Sequence, residues 1–429
     1  MNYTKTEQKL MDAMARMDVI DAHEHLTPEE TLLSKPRDVF ALVGHYVRFD
    51  LFSAGMDRES YNIHGGRVKP ACKDFNRLYD PGIPLEERWA LFEPYWQCVR
   101  FGSYARTSRL AAKLYYGVDE INGQTYRELS ERIADESKPG IHRRVLVDTC
   151  RIAAALTQFG YTNCDRPLVP VAPAPLLTQV RDRNHVEILS GKLNTTAKTL
   201  DDWLALAKKQ LDKWTSEGAV GIKISSQYNE PPDRLAAETA FKNLLDGGKL
   251  VPDSRGFEPF ENFMLHHLID LAGELDLVVA VHAGVWGDFR NVDPKHMLTL
   301  APAHPKVNFD LYHLGMPFVR DSIVIGKNLP NVFLNLCWCH ILSAVQTCSA
   351  IDELLDQVPV NKVIAFGGDE GMGLENIVGH LQMARENFAQ VFGARIDRGL
   401  MSFDEAVHIL KLWFWDNPLA LYRRLKVQV

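Results

Sequence analysis

From residue 141 onward, short apolar runs rich in valine and isoleucine alternate with longer stretches whose apolar positions recur at helical spacing. The runs lie at 151–156, 168–174, 220–224, 277–282, 307–313, 332–338 and 363–369, and an earlier run at 19–25 makes eight. Helical spacing falls between them at 141–149, 200–217, 258–275, 294–301, 318–328 and 349–357, and after them at 375–393 and 402–424. A further amphipathic helix is expected over 5–17, with Leu10, Met11, Met14 and Met17 on one face. Apolar runs without polar alternation read as strands buried on both faces. Strands separated by helices must pair in parallel, because a parallel connection needs a crossover. Eight such units predict an α/β fold, a closed (β/α)8 TIM barrel, whose active site lies where the C-terminal strand ends meet. The run at 168–174 carries Pro170 and Pro173, which suit a central strand poorly. No Gly-rich phosphate turn follows the first strand, which argues against a doubly wound sheet.

Residues 26–140 break this rhythm. Tyr46, Arg48, Phe49, Arg88, Trp89, Phe92, Trp96, Arg106 and Arg109 make the stretch rich in arginine and aromatic residues, with helices expected near 36–48, 85–99, 105–116 and 124–136. It reads as one long, mostly helical insertion after the first strand, a cap within a single barrel domain spanning 1–429. Tyr46 and Arg48 lie nearest the first strand and are the candidates to reach substrate.

Composition narrows the class. The 429 residues are 46% hydrophobic and 24% charged with a net charge of -7, an ordinary globular balance that disfavours a nucleic-acid surface. No apolar run approaches the roughly 20 residues of a membrane span, and the polar start lacks a signal-peptide core. Seven cysteines without a framework spacing suit reduced thiols in a cytoplasmic protein. The expected partner is a small-molecule substrate, with neither membrane nor nucleic acid, in a homo-oligomer.

The chemistry collects at strand ends. His23 and His25 close the first run, two residues apart on an alternating strand, so both imidazoles face one way and can grip one metal ion. Later runs end in Lys223, His282, His313, Trp338-Cys339-His340 and Asp369. Imidazoles with one carboxylate suit a divalent cation, most simply Zn2+, with Mn2+ or Fe2+ accepting similar ligands. The tandem pair His266-His267 sits in a helix, where neighbours point about 100° apart, and is read as structural.

The ordered set His-x-His, Lys, His, His, Asp resembles the amidohydrolase superfamily over residues 19–30 and 141–395. Val-Val-Ala-Val-His-Ala-Gly and Asn-Lys-Val-Ile-Ala-Phe-Gly-Gly-Asp look like its amidohydrolase-related (amidohydrolase 2) branch, which includes aminocarboxymuconate-semialdehyde decarboxylase-like enzymes and lies near uronate isomerases. The insertion is similar to that of uronate isomerases, whereas Asp369 is followed by Glu370 and Gly371 where those carry Asp-x-Arg. The resemblance implies His23, His25, His282 and Asp369 as ligands of one divalent metal, Asp369 also as general base, and His313 as the group that polarises a carbonyl or carries a proton. Lys223 would bind substrate, or be carboxylated and bridge two metals. Trp338, His340, Tyr46 and Arg48 would line the substrate pocket, while Glu24 would turn away from the mouth. The implied activity is hydrolysis of an amide, lactone or ester-like bond in a small carboxylated substrate. Nonoxidative decarboxylation and uronate-type isomerisation are alternatives on the same site, and a metal-binding barrel without turnover is an alternative of another class.

Overall fold

The computed structural model describes residues 3–58, 72–158, 164–285 and 288–427. Eight parallel strands follow one another round a single sheet: β1 Val19–Glu24, β2 Ile152–Thr157, β3 Leu168–Pro173, β4 Gly221–Ser225, β5 Val278–His282, β6 Phe309–Leu311, β7 Val332–Asn335 and β8 Val363–Ile364. β8 is short, but the chain beyond it returns to β1 and closes the barrel. Ala22 N–H donates to Phe366 O at 3.1 Å, Asp369 N–H to His23 O at 2.8 Å and His25 N–H to Glu370 O at 3.1 Å. Ile20, Ala154, Val169, Val278 and Ile364 share one apolar cluster with Tyr312 and Tyr422. Strands on opposite sides of the sheet can meet in this way only inside a closed barrel, as layered side chains.

The run at 168–174 is a central strand despite its prolines, against expectation. β3 pairs with β2 on one side and β4 on the other. A proline lacks only the donor, and Pro170 still uses its acceptor, taking the Val220 N–H at 3.1 Å. The last helical stretch divides into Phe403–Lys411, a π-turn at Leu412–Asp416 and Asn417–Leu421, with Pro418 at the final break. The stretch at 36–48 also divides, into Phe40–Val43 and Val47–Ser53.

Between β1 and β2 the described chain is helical. The helices Leu85–Val99, Ser103–Leu114 and Tyr126–Glu136 enclose a separate apolar core of Phe40, Leu42, Trp89, Phe92, Trp96, Leu129 and Ile133. Most of its arginines are spent on ion pairs: Arg88 meets Asp38 at 2.7 Å, Arg109 meets Glu120 at 2.6 Å and Arg106 meets Glu386 at 2.5 Å. The cap is fastened to the barrel by Arg37, whose guanidinium donates to both oxygens of buried Glu375, at 2.9 and 2.6 Å. Tyr116 O–H donates to the same carboxylate at 2.6 Å. Among the described residues no helix is long and apolar enough to cross a membrane.

Candidate metal centre

The seam between β1 and the strand-eight extension builds the site. Its hydrogen bonds place Asp369 between the two β1 histidines, so that Asp369 Oδ1 lies 3.1 Å from His23 Nε2 and 3.3 Å from His25 Nε2. One ligand atom from each of the three falls within 4.8 Å of the others. Strand eight can press this close because Gly367 and Gly368 have no side chains. A Cβ on Gly367 would lie 2.5 Å from Cys337 Cβ, and one on Gly368 would collide with the Glu24 carboxylate.

Both ring nitrogens of His23 are buried and make no hydrogen bond, although Nε2 faces a carboxylate oxygen. Buried polar atoms are normally satisfied, so an imidazole held this way beside a carboxylate fits a cation. Burial, reinforced by Lys223, pushes the His23 pKa down to about 3, and burial also lowers His25. Burial works against the Asp369 charge, but the surrounding histidines, His23 first, hold its carboxyl well below the usual range. Neutral imidazoles beside an ionised carboxylate are the donor set a borderline divalent ion takes.

His313 and His282 form the next layer. His313 Nδ1 lies 3.7 Å from Asp369 Oδ2, and His313 Nε2 lies 3.1 Å from His282 Nδ1. His282, expected as a further ligand, is not among the three residues whose ligand atoms converge, and its Nε2 is buried without a hydrogen bond. Burial drives His282 down to about 3 and His313 well below its ordinary value. Lys223 Nζ stands 4.1 Å from the centroid of the Tyr312 ring, and that ring lies 4.3 Å from the His23 ring. Burial lowers the Lys223 pKa to about 8. Asp369, His313 and Trp338 all adopt left-handed backbone, with φ of 56°, 62° and 63°. Such strain in non-glycine residues collects at functional sites.

The cap reaches the same place. Tyr46 O–H donates to Asp369 O at 2.5 Å, and its ring clusters with Tyr104 at 5.1 Å and Trp338 at 4.9 Å, which lie 6.5 Å from each other. Trp338 in turn meets the His313 ring edge-on at 5.2 Å. Arg48 lies on the neighbouring turn with its guanidinium 4.9 Å from the Phe49 centroid, and its charge is felt by Tyr79 within the cap.

Two expectations are corrected. His340 does not face substrate. It is fully buried, with Nε2 on Ala365 O at 3.0 Å and Nδ1 on Asn387 Nδ2 at 3.2 Å, so both nitrogens are consumed by the core. Glu24 does not pack outside the mouth. The pairing with β2 slips between Asp21 and Glu24, and the Glu24 carboxylate is buried where it accepts the Glu370 N–H at 2.6 Å. His266, read as structural, is held by His304 at 2.8 Å and by Glu230 O at 3.0 Å.

One pair escaped the sequence reading. His45 Nδ1 lies 2.6 Å from Glu370 Oε1, and that carboxylate also accepts N–H bonds from Gly371, Met372 and Gly373. The geometry has Nδ1 donating to the carboxylate, which leaves Nε2 as the free nitrogen. A Cβ built on Gly371 would lie 3.6 Å from both His45 Nε2 and His25 Cβ, which puts the dyad beside the ligand trio. The available signal was the succession His45-Tyr46 in the cap together with Glu370 next to Asp369.

Fold and site together define a (β/α)8 barrel with an inward divalent-metal donor set at its C-terminal rim. A family model described as Amidohydrolase matches residues 194–424, more than half of the chain, and the protein belongs to that family. Among solved structures, a uronate isomerase from Thermotoga maritima superposes with a TM-score of 0.78 at 15% identity, covering 97% of each chain. A glucuronate isomerase from Caulobacter crescentus gives 0.77 at 14% identity, over 99% of this chain and 95% of that one. A protein described as a metal-dependent hydrolase, from Lactobacillus casei ATCC 334, gives 0.65 at 15% identity, over 97% and 99%. At such identities the likeness establishes the shared barrel fold. No curated protein matches the chain.

Proposed function

We propose that the protein is a metal-dependent enzyme that hydrolyses an amide, lactone or ester-like bond in a small, carboxylated substrate. The observation that carries this reading is the convergence of His23 Nε2, His25 Nε2 and Asp369 Oδ1 in a cluster that buries His23 and Asp369, leaves His25 partly exposed and lacks hydrogen bonds at His23. These three residues would hold a divalent ion, zinc being the first choice, which supplies Lewis acidity and lowers the pKa of a water at the site. Asp369 Oδ2, on the side facing His313, is placed to take a proton from that water. His313, neutral, spends Nδ1 on Cys337 O at 3.2 Å and Nε2 on His282 Nδ1 at 3.1 Å, so steadying of the developing oxyanion would fall to the ion, and His313 would orient His282. Lys223 has no carboxylate within ion-pair distance among the described residues, so its ammonium is available to a substrate carboxylate. Tyr46, Tyr104 and Trp338 form an aromatic wall that excludes water from one side. Metal analysis and turnover of a panel of N-acyl amino acids and lactones test the reading. It expects one equivalent of metal per chain and an acid as product; two equivalents with a carbamate on Lys223 would overturn the one-metal arrangement.

A second reading, isomerisation of a sugar acid, is favoured by one observation. The His45–Glu370 dyad gives the site another group able to pass a proton, as a shift between adjacent carbons requires. Incubation with a uronic acid and chromatography of the products separates the two, because isomerisation releases no acid.

A further inference from the structure

We propose that the opposite, N-terminal end of the barrel carries a second binding site, for a phosphorylated small molecule. A cleft of about 530 Å3 opens there, within the usual range of roughly 300–1,000 Å3 for small-ligand sites. Its walls carry Arg143, Arg151, Arg166 and Lys426, with Trp415 and Pro167 as the apolar surface.

The fold explains why these cations meet. Asp18, Arg151 and Pro167 immediately precede three adjacent strands, β1, β2 and β3, and Arg166 precedes Pro167. Arg143 opens the π-helical turn that leads into β2. Trp415 and Lys426 come from the C-terminal segment, whose Leu421, Tyr422 and Leu425 join the apolar cluster inside the barrel. The cleft lies about 20 Å from the metal centre, the rise of the six residues of β1.

Charge points to an anion. Asp18 pairs with Arg151 at 2.6 Å and Asp148 with Arg143 at 3.6 Å, while Arg166 and Lys426 have no carboxylate partner among the described residues. Four cations therefore face two carboxylates, in a chain whose net charge is -7. Close by, Arg385 has Nε and Nη2 buried without hydrogen bonds. Burial lowers its pKa, and the Arg151 charge adds to that, so Arg385 is a further cation within reach of Arg151. Arg151 itself adopts left-handed backbone at φ 60° where the chain turns into β2, which fixes the direction in which it leaves the barrel base. Guanidinium groups suit the planar, bidentate recognition of phosphate oxygens, and the half-buried Trp415 offers a face for an attached ring. With Arg143 and Arg151 each already paired, Arg166 and Lys426 are the two cations left to an anion, and their two charges favour a multiply charged group such as a diphosphate.

The test is calorimetric titration of the full-length protein with pyrophosphate and, separately, with ATP at low ionic strength. The expected result is saturable binding of one equivalent of pyrophosphate, weakened by added salt. The double variant Arg166→Gln/Lys426→Gln should weaken it about tenfold or more, with an unchanged circular dichroism spectrum and thermal midpoint. Lys426→Gln alone, at an exposed position near the C-terminus, should show a smaller loss in the same direction. Tighter binding of ATP than of pyrophosphate would assign the Trp415 wall to a nucleotide base, and equal binding would assign recognition to the phosphates alone. Failure of both to saturate, identical affinity in the double variant, or binding confined to an RNA oligonucleotide would overturn the proposal.

Discussion

The barrel mouth and the cap differ in how they hold their buried ionisable groups. In the cap, arginines and acids are satisfied in pairs: Arg37 takes Glu375, Arg88 takes Asp38 and Arg109 takes Glu120. At the mouth, His23 and His282 keep buried nitrogens without hydrogen bonds, and Asp369, His313 and Trp338 hold strained backbone. Pairing removes the cost of desolvating a charge and fixes architecture; leaving atoms unpaired costs stability and keeps them available to an outside ligand. The contrast separates an arginine paired within the protein from a histidine whose nitrogens are left open to a ligand, although both are buried and polar.

The strongest way to break this contrast is at Asp369. Asp369→Asn removes the only carboxylate of the trio; we expect turnover to fall by about 10³-fold or more and bound metal to drop, read by activity assay and metal analysis. Chelation of the wild-type protein should match that loss, and re-addition of Zn2+ or Mn2+ should reverse it only where Asp369 is intact. The cap offers the reciprocal experiment. Arg37→Ala would leave Glu375 buried and uncompensated, and should cost about 3–5 kcal/mol in denaturant unfolding while metal content is retained. Equal loss of metal would mean that the cap latch and the metal centre are one unit.

Glu370→Gln sharpens the comparison, because it loosens a cap histidine at the site without touching the trio. We expect about tenfold lower kcat with little change in stability if hydrolysis is the reaction, and near-complete loss if the dyad moves a proton between carbons. The smallest effect lies within the cap. Burial pushes the Asp50 carboxyl up to about 6. Its folded pKa thus exceeds its unfolded one, and ionisation works against folding: stability should decline as pH rises from about 4 to about 6, and Asp50→Asn should flatten that slope in thermal melts.

Much of the barrel was legible in the chain because each strand is a continuous apolar run and each helix repeats its own period. Those patterns are local, and a parallel barrel brings strand ends together whatever the loops do. The convergence of His23, His25 and Asp369 was legible for the same reason, since they stand at ends of strands that become neighbours on closure, whereas His282, expected with them, meets His313 instead. What eluded sequence reading depended on distant packing. Pro170 counts against a strand until the acceptor for Val220 N–H is seen, and His340 looks available until Ala365 and Asn387 take both its nitrogens.

The sequence by itself determined the eight βα units, the helical nature of the insertion and the residue types offered at the strand ends, because periodicity and β-branching act within a few residues. Only the tertiary structure decided that His282 meets His313, that Glu24 is buried, that His45 meets Glu370 and that four basic side chains gather beneath the barrel. Each of these depends on how the cap, the strand-eight extension and the C-terminal segment dock. Docking is set by packing between residues tens to hundreds of positions apart, which no local pattern encodes.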